Sequence, residues 1–387
     1  MTRPVPPPTL SLVLPTYNER ANLPPVIARL IRCLEATGAS FEIVVVDDDS
    51  PDRTWELAEA LGAEDPRIRV VRRRGERGLA TAVVAGWRHA RGRVLGVMDA
   101  DLQYRPESLP AMLRALDDPG VDIAIGSRYA PGATVQEWSA RRWAISLCAR
   151  LLARVALPEA LGAVLDPGAG YFLMRRRVIE GIELQPQGFK ILIEVLARGR
   201  YAGVVEVGQQ YEGRREGESK LRGRQITEYL SQLLDLSRAT HELRRSVAYA
   251  VAGGSGVAAH LGLLAALTEG LHWPILAAGA LAAEVAIIIT FAWREILGTG
   301  YAGAPPGGAM SRLAHWHRRR VPGGVLGLAT LWILAEWLGV PYLRGAVVAV
   351  TVNVLVNYGG GARLRQPRPV RALAPLPSVA PSSMPMN

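Results

Sequence analysis

The pattern of apolar and polar positions changes character along the chain. From residue 9 to about 220, short apolar runs alternate with helical patterns. The runs Leu10–Leu14 (LSLVL), Phe41–Val46 (FEIVVV), Arg67–Arg72, Val94–Met98 and Asp122–Ile125 predict strands, and Asn22–Ala36 and Gly78–Arg91 predict helices between them. That alternation is the signature of an α/β domain. From Gly223 to Glu242 the period becomes helical, with Ile226, Tyr229, Leu230, Leu233, Leu234 and Leu236 near i, i+3, i+4, i+7 spacing beside arginines. Such an amphipathic helix either lies along a membrane interface or packs as a surface helix on the α/β domain.

Beyond it the pattern turns almost wholly apolar. No Lys or Arg occurs from Ser246 to Trp293, and the run divides at Thr268–His272 into spans of about 246–268 and 272–293. A second pair, about 321–341 and 343–362, is divided by a turn at Gly339–Tyr342, and its last span is weakened by Asn353 and Asn357. Each span is long enough to cross a hydrocarbon layer of roughly 30 Å. The sequence therefore predicts an all-α transmembrane domain of four helices in two hairpins. Arg244 and Arg245 precede the first span, Arg294, Arg312, Arg318, Arg319 and Arg320 fill the central loop, and Arg363, Arg365, Arg368 and Arg371 follow the last. Excess positive charge stays cytoplasmic, so both termini and the α/β domain are expected there.

Charge and composition narrow the classes further. The net charge of +10 resides almost entirely on arginine, since only Lys190 and Lys220 are lysines. Anionic lipid and phosphate ligands account for it, so nucleic acid is not expected as a partner. Cys33 and Cys148 are too few for a disulfide framework. Residues 1–8 read as a flexible, proline-rich start without a signal-peptide core, and 366–387 as a disordered tail. The resulting division is 1–8, an α/β domain at 9–221, interface helices at 222–243, a transmembrane domain at 244–365, and the tail.

Candidate chemistry gathers where strands end. Asp99-Ala100-Asp101-Leu102-Gln103 follows the apolar run Val94–Met98, and extended geometry there points Asp99 and Asp101 the same way. Two carboxylates and the Gln103 amide oxygen suit Mg²⁺ or Mn²⁺. The acids Asp47, Asp48, Asp49 and Asp52 follow FEIVVV. We read Asp48 as a ligand for ribose hydroxyls or base N–H groups and Asp52 as a helix cap. After the first strand, Pro15-Thr16-Tyr17-Asn18-Glu19-Arg20 offers a stacking ring and a carboxylate, or simply a loop capped by Asn22.

Taken in order, PTYNE, VVDDDSPD, DADLQ, GSRY (Gly126–Tyr129), DPGAGYFLMRR (Asp166–Arg176) and GESKL (Gly217–Leu221) resemble the dolichyl-phosphate mannosyltransferase branch of family 2 glycosyltransferases, over about residues 9–240. AVAGGSGVAAHLGLL and the hairpin layout resemble a GtrA-like membrane domain. The resemblance implies a Rossmann-like GT-A fold, a nucleotide-sugar donor, most simply GDP-mannose, a dolichyl or polyprenyl phosphate acceptor, a divalent cation, and inversion at the anomeric carbon. It assigns the nucleotide to Pro15, Tyr17, Glu19, Val46, Asp48 and the backbone of Ala100, and the metal to Asp99, Asp101 and Gln103. Arg128, Arg214 and Lys220 would meet phosphates, Arg142 and Ser146 would grip the lipid phosphate, and Asp166 would orient acceptor or sugar. A solvated basic helix face, with Arg141 and Arg150 alongside, is the alternative for Arg142.

The chain departs from the family pattern at Asp49 and Arg53, where glycines are usual, at Ala80, and at Ala169, where serine is usual. A UDP-sugar donor, a processive polysaccharide synthase and a nucleotide-sensing lipid scaffold are the competing functions. The spacing of Gln136–Trp143 does not fit the Q-x-x-R-W pattern of the synthases. Glu284 and Glu336 fall inside expected spans, where an acid is functional or hydrogen-bonded between helices. His315 and His317 flank Trp316 as an interfacial anchor rather than a metal site.

Overall fold

Leu10–Thr16 (β1) and Phe41–Asp47 (β2) are buried along their whole length and pair in parallel, from Leu10 against Phe41 to Thr16 against Asp47. Continuous rather than alternating apolar runs suit strands covered on both faces. In the computed structural model, residues 7–136, 138–212, 223–240, 243–297, 307–361 and 370–373 are described. They fall into two units, one within Met1–Ala153, Val164–Leu236 and Arg368–Asn387, the other within Arg154–Ala163 and Ser237–Pro367.

In the first unit Ile68–Arg72 (β3) and Val94–Val97 (β4) pair in parallel with β2 and β1. The crossovers are Leu23–Glu35 (α1), Thr54–Glu64 (α2) and Leu79–His89 (α3). α1 shows why such a segment docks: Leu23, Val26, Ile27, Leu30 and Leu34 form one buried stripe at helical spacing. Leu109–Ala115 (α4) leads to Ile123–Ser127 (β5), then Thr134–Val135 (β6) and Ala140–Ala156 (α5), whose end from Arg154, together with Pro158–Leu161 (α6), falls in the second unit. Phe172–Arg175 (β7) follows, and it runs antiparallel between β4 and β5. After Ile191–Arg198 (α7), Val204–Gly208 (β8) pairs in parallel with β5, and Gln210–Tyr211 (β9) pairs with β6. The mixed sheet has the order β10-β8-β5-β7-β4-β1-β2-β3, with β10 at Val370–Leu373.

β10 corrects the reading of 366–387 as wholly disordered. Val370–Leu373 pairs in parallel with Val204–Val207 and covers an edge that would otherwise present unpaired backbone groups. Gly223–Ala239 (α8) is the expected amphipathic helix, and it packs on the α/β domain. Tyr229 donates to the Ala149 carbonyl at 2.8 Å and Gln232 to that of Lys190 at 3.2 Å, and Leu233 and Leu236 are buried. Ile226, Leu230 and Leu234, four apart, remain exposed along the flank of that packed face.

The second unit contains Leu243–Ala265 (α9), Ile275–Ile296 (α10), Ala309–Trp332 (α11) and Tyr342–Gly361 (α12). α9 and α11 each end in a π-helical turn, at Ala266–Gly270 and Ile333–Trp337. α11 begins at Ala309 rather than near 321, so much of the expected central loop is helix, and Pro322 lies inside it. Arg312, paired with Glu295, belongs to this basic extension. Among the described residues, only Ala250–Gly270 and Ile275–Ile296 have both the length and the mean hydropathy, 1.6 and 2.3, to cross a membrane by those criteria alone; the apolar part of α12, Tyr342–Val354, is shorter. Leu264, Leu267, Ala278, Ala282, Leu331, Ala346 and Ala349 form the interior, where small residues allow close helix approach. Val251, Ile288, Val325 and Val347 stand exposed outside, as lipid-facing positions do.

Candidate active site

The sheet explains why motifs distant in sequence meet. β1, β2, β4 and β5 point the same way, so PTYNE, the Asp47–Asp52 acids, DADLQ and GSRY emerge at one edge. β7 runs against them, so the loop that precedes it, Asp166–Tyr171, starts at that same edge. Ligands collect at the carboxyl ends of strands in open α/β sheets.

On the expected nucleotide side, Pro15 and Val46 are buried neighbours in the β1–β2 ladder. Tyr17 is half-buried, with the Arg77 guanidinium 5.1 Å from its ring. Glu19 accepts from the Asn22 amide at 2.7 Å. Asp48, expected to meet the nucleotide, is a buried partner of Arg73, accepting from Nε at 2.7 Å and from the Gly78 amide at 2.8 Å. Local pattern could not reveal a cation 25 residues away. Asp47 likewise accepts from Thr16 and Ser50. Asp52, one residue before the N-cap Arg53, takes the Thr54 amide at 3.0 Å and hydroxyl at 2.6 Å and so supports the start of α2 without being its N-cap. Asp49 and Arg53 have φ of 52° and 59°, which gives the physical reason that glycine suits those positions.

The acidic shelf follows β4. Ala100, Asp101 and Gln103 are buried. Asp101 accepts from the Gln103 amide at 3.2 Å, and Leu102 between them has a φ of 59°, a strained conformation for a bulky residue. The Gln103 side-chain oxygen accepts from Tyr211 at 2.8 Å, which fixes the amide orientation. Asp99 is packed against Gly170, where an added Cβ would lie 2.1 Å from its Oδ2. Gly170 also donates its amide to Tyr104 at 3.0 Å. Among the described residues no three His, Cys, Asp or Glu side chains gather as a metal cluster. The donor set here is two carboxylates and a pinned amide oxygen, hard ligands that fit Mg²⁺ or Mn²⁺.

Opposite stands a cationic group. Arg128 donates Nε and NH2 to the two oxygens of Asp166 at 2.8 and 2.7 Å, and its backbone amide to the same carboxylate at 3.0 Å. Burial raises the Asp166 pKa, but Arg128 outweighs it and holds the group below the ordinary carboxylate value. Glu206 in turn accepts the amides of Leu165 and Asp166, at 2.7 and 2.9 Å, while burial pushes its own pKa up to about 7. Lys190 donates to the Gly168 carbonyl at 2.7 Å. Burial and then Arg128 push its pKa down to about 8, against the opposing pull of Asp99 and Asp166. Arg142 acts on Lys190 too, and Asp99, Asp101, Arg128 and Arg142 all act on Tyr211, so shelf and cations share one site.

α5 presents Arg142, Ser146 and Arg150 on a single face. Ser146 lies 2.5 Å from the Tyr129 hydroxyl, Arg150 stacks 3.8 Å over the Tyr129 ring, and Arg142 lies 5.0 Å from the Trp138 ring. Arg141 is exposed, while Arg142, Ser146 and Arg150 are partly buried. Arg214 and Lys220 lie outside the described residues. Reading the sequence missed Tyr104, Gly170, Lys190, Glu206 and Tyr211 as parts of this site. Lys190 left a signal, as one of two lysines in a chain that otherwise uses arginine, and Gly170 lies within the DPGAGYFLMRR motif.

Residues 11–182 match the glycosyl transferase family 2 model, and residues 248–364 the GtrA/DPMS transmembrane domain model. The chain is 41% identical to a dolichol-phosphate mannosyltransferase of Pyrococcus furiosus over 90% of its own length and 97% of that protein. It is 36% identical to a Saccharomyces cerevisiae dolichol-phosphate mannosyltransferase, over 58% of this chain and 86% of the other. It is 39% identical to a polyprenol monophosphomannose synthase of Mycolicibacterium smegmatis, over 58% of this chain and 85% of the other. A family 2 catalytic unit joined to a GtrA-type membrane domain, matched almost end to end by the archaeal relative, places this chain in the dolichol-phosphate mannosyltransferase family.

Proposed function

We propose that the protein transfers mannose from GDP-mannose to dolichyl or a related polyprenyl phosphate, inverting the anomeric centre, at the cytoplasmic face of a membrane that its second unit crosses four times in two hairpins. The observation that carries this reading is the opposition of charge across one sheet edge. The Asp99, Asp101 and Gln103 shelf faces a group of cations built from Arg128, Arg142 and Lys190. A diphosphate donor and a phosphate acceptor need those two environments side by side. The names of the relatives support mannose and a polyprenyl acceptor.

Asp99, Asp101 and Gln103 would hold Mg²⁺ or Mn²⁺, which when bound stabilises the charge of a departing diphosphate. Pro15, Tyr17, Glu19, Val46 and the backbone of Ala100 border the nucleotide, with Asp48 shaping that wall through Arg73. Arg214 and Lys220 add phosphate contacts. Arg142 and Ser146 take oxygens of the lipid phosphate, a guanidinium being suited to two at once. Arg128 is aimed by Asp166 rather than free to swing. An oxygen of the lipid phosphate forms the new bond to the anomeric carbon on the face opposite the leaving group. The bond from that carbon to the GDP oxygen breaks, and its electron pair leaves with GDP. Orientation of the two substrates supplies much of the rate.

The arginine distribution supports both termini and the Arg294–Arg320 segment facing the cytoplasm. The exposed stripe of Ile226, Leu230 and Leu234 supports α8 lying against the membrane surface with the adjoining face on the catalytic unit. The deciding experiment is a panel of radiolabelled nucleotide-sugars against polyprenyl phosphates with Mg²⁺ or Mn²⁺. Label from GDP-mannose should move into an organic-soluble product. Exclusive transfer from a UDP-sugar, precipitation as polymer, or binding without turnover would reject the proposal.

A further inference from the structure

Within the first unit, at the sheet edge where β1 and β4 begin and β7 finishes, lies a cavity of about 670 Å³. Thr9, just before β1, borders it, and the length of β1 sets it roughly 20 Å from the motif that follows that strand. Its size falls within the range of small-molecule pockets. Part of the wall is apolar, with Pro110, Leu113 and Leu116 along α4 and its exit, and Ala36 and Ala39 following α1. Arg93, Arg114, Arg175, Arg176 and Arg177 line the rest, together with the acid Asp117.

The acids nearby do not balance these arginines. Asp122 serves both Arg175, at 3.7 Å, and Arg177, at 2.7 Å. Arg175 also donates to the Val121 carbonyl at 3.0 Å and to that of Leu116, so it offsets the carboxyl end of α4, whose dipole would otherwise repel an anion. Arg176 is held in place by neutral groups, donating Nε to the Gly92 carbonyl and Nη2 to that of Ala90, both at 2.8 Å. Its amide donates to the Arg93 carbonyl at 2.9 Å, which brings those two residues side by side. Arg114 donates to the Pro110 carbonyl at 3.3 Å. Among the described residues, Arg93, Arg114 and Arg176 thus have no carboxylate partner within ion-pair distance. A cleft lined by one sign of charge concentrates the opposite ion. A carboxylate brings one charge and two oxygens, whereas a phosphate monoester brings about two charges and three oxygens. Three guanidiniums without a counter-charge therefore match phosphoryl groups, and the apolar wall matches an organic part attached to them.

We propose that this cavity is a second anion site, for a small organic molecule that carries two or more phosphoryl groups. The phosphates lie among Arg93, Arg114 and Arg176, and the organic part against Pro110, Leu113 and Leu116. None of these residues is assigned to the transfer reaction, so occupancy here does not depend on which nucleotide-sugar the enzyme uses. The phosphates are held by guanidiniums and need no metal, which separates this site from the acidic shelf at the other edge.

The test uses the full-length protein in nanodiscs with 8-azido-ADP as the photoreactive probe, and crosslinked peptides are mapped by mass spectrometry. Label should enter segments 90–94, 110–117 or 175–177, and it should persist in EDTA. ADP and pyrophosphate should compete it away, and adenosine should not. Arg93→Gln combined with Arg114→Gln should reduce this labelling at least fivefold. Arg93→Lys combined with Arg114→Lys, which keeps the charge, should retain at least half. Both double variants should keep the parent's thermal melting point, because neither side chain holds a partner beyond the Pro110 carbonyl. Label confined to peptides at the carboxyl ends of the strands, label lost in EDTA, displacement by adenosine as complete as by ADP, or label unchanged in the glutamine variant would overturn the proposal.

Discussion

Gly170→Ala adds one methyl group behind the acidic shelf. The new carbon would lie 2.1 Å from Asp99 Oδ2, 2.8 Å from its Cγ and 3.1 Å from Oδ1, whereas real contacts of this kind stay beyond 3.0 Å. The carboxylate oxygen must therefore retreat by roughly 1 Å, a misplacement of the size that costs on the order of 100-fold in rate. In free energy that is about 2.7 kcal/mol of transition-state stabilisation. Alanine keeps the amide that Gly170 donates to Tyr104, so the β7 approach and the thermal melting of the catalytic unit should be little changed. The loss should appear in Mn²⁺ affinity, read by electron paramagnetic resonance in the presence of GDP. It should also appear in kcat/KM for GDP-mannose, with partial recovery at high Mn²⁺. If Gly170→Ala binds Mn²⁺ within twofold of the parent, Asp99 is not a metal ligand held in place by this contact, and the shelf as described is wrong.

Four further outcomes follow from the same geometry. Asp101→Asn, which keeps size and removes charge, should lower turnover at least about tenfold, or 1.4 kcal/mol, and EDTA should abolish turnover in the parent. Arg142→Lys should weaken the apparent affinity for polyprenyl phosphate while GDP-mannose binding, measured by calorimetry, stays within about a factor of two, because an ammonium keeps charge but loses the planar fork. Cysteine at Gly270, in a background lacking Cys33 and Cys148, should react with an impermeant thiol reagent from outside the cell, and a cysteine in the central segment should not. Lys190 has its folded pKa pushed down to about 8 from 10.5, so its charge is present below pH 8 and lost above it. Acceptor affinity should therefore fall between pH 7 and 9, and Lys190→Arg, charged throughout, should flatten that fall. Since the unfolded chain holds the lysine proton up to its higher pKa, this residue's contribution to stability rises with pH between about 8 and 10.5.

Much of the catalytic unit was legible because β1, β2 and β4 are apolar runs that stop abruptly at polar residues, a pattern both burial and chemistry impose. Short strands between charged neighbours were harder. β7 has four residues, and its antiparallel direction is decided by the partners it inserts between, which no local period encodes. Asp166 consequently entered only through the family resemblance. Tyr104 and Tyr211 form a bridge across 107 positions, and the sequence around neither announces the other. The acids after β2 hold one partnership that no local pattern announces, since Arg73 and Gly78 both donate to Asp48. In the second unit, hydropathy found α9 and α10 because no lysine or arginine occurs between Ser246 and Trp293. It delayed the start of α11, since a basic helix carries no apolar signal until Val321. Glu336, expected within a span, lies exposed in the terminal π turn, and Glu284 pairs with His317 at 3.4 Å.

The remaining question is where a proton would go, and the geometry answers it through Asp166. Both of its oxygens accept from Arg128, and its pKa is held below the ordinary value, so it is a poor general base at neutral pH. A phosphate monoester, with a second pKa near 6, is already largely dianionic at pH 7 and needs no base to become a nucleophile. The charge Asp166 carries is then better understood by what Arg128 would do without it. Asp99 belongs to the same group of interacting charges, and a released guanidinium would be drawn to the acidic shelf, uniting the cation intended for one phosphate with the anions intended for the other's metal. Glu206 fixes the Asp166 backbone, Asp166 fixes Arg128, and the two charge environments stay apart. On this reasoning Asp166 is a positioning residue, and the separation it maintains is what lets one sheet edge hold two phosphate-bearing substrates at once.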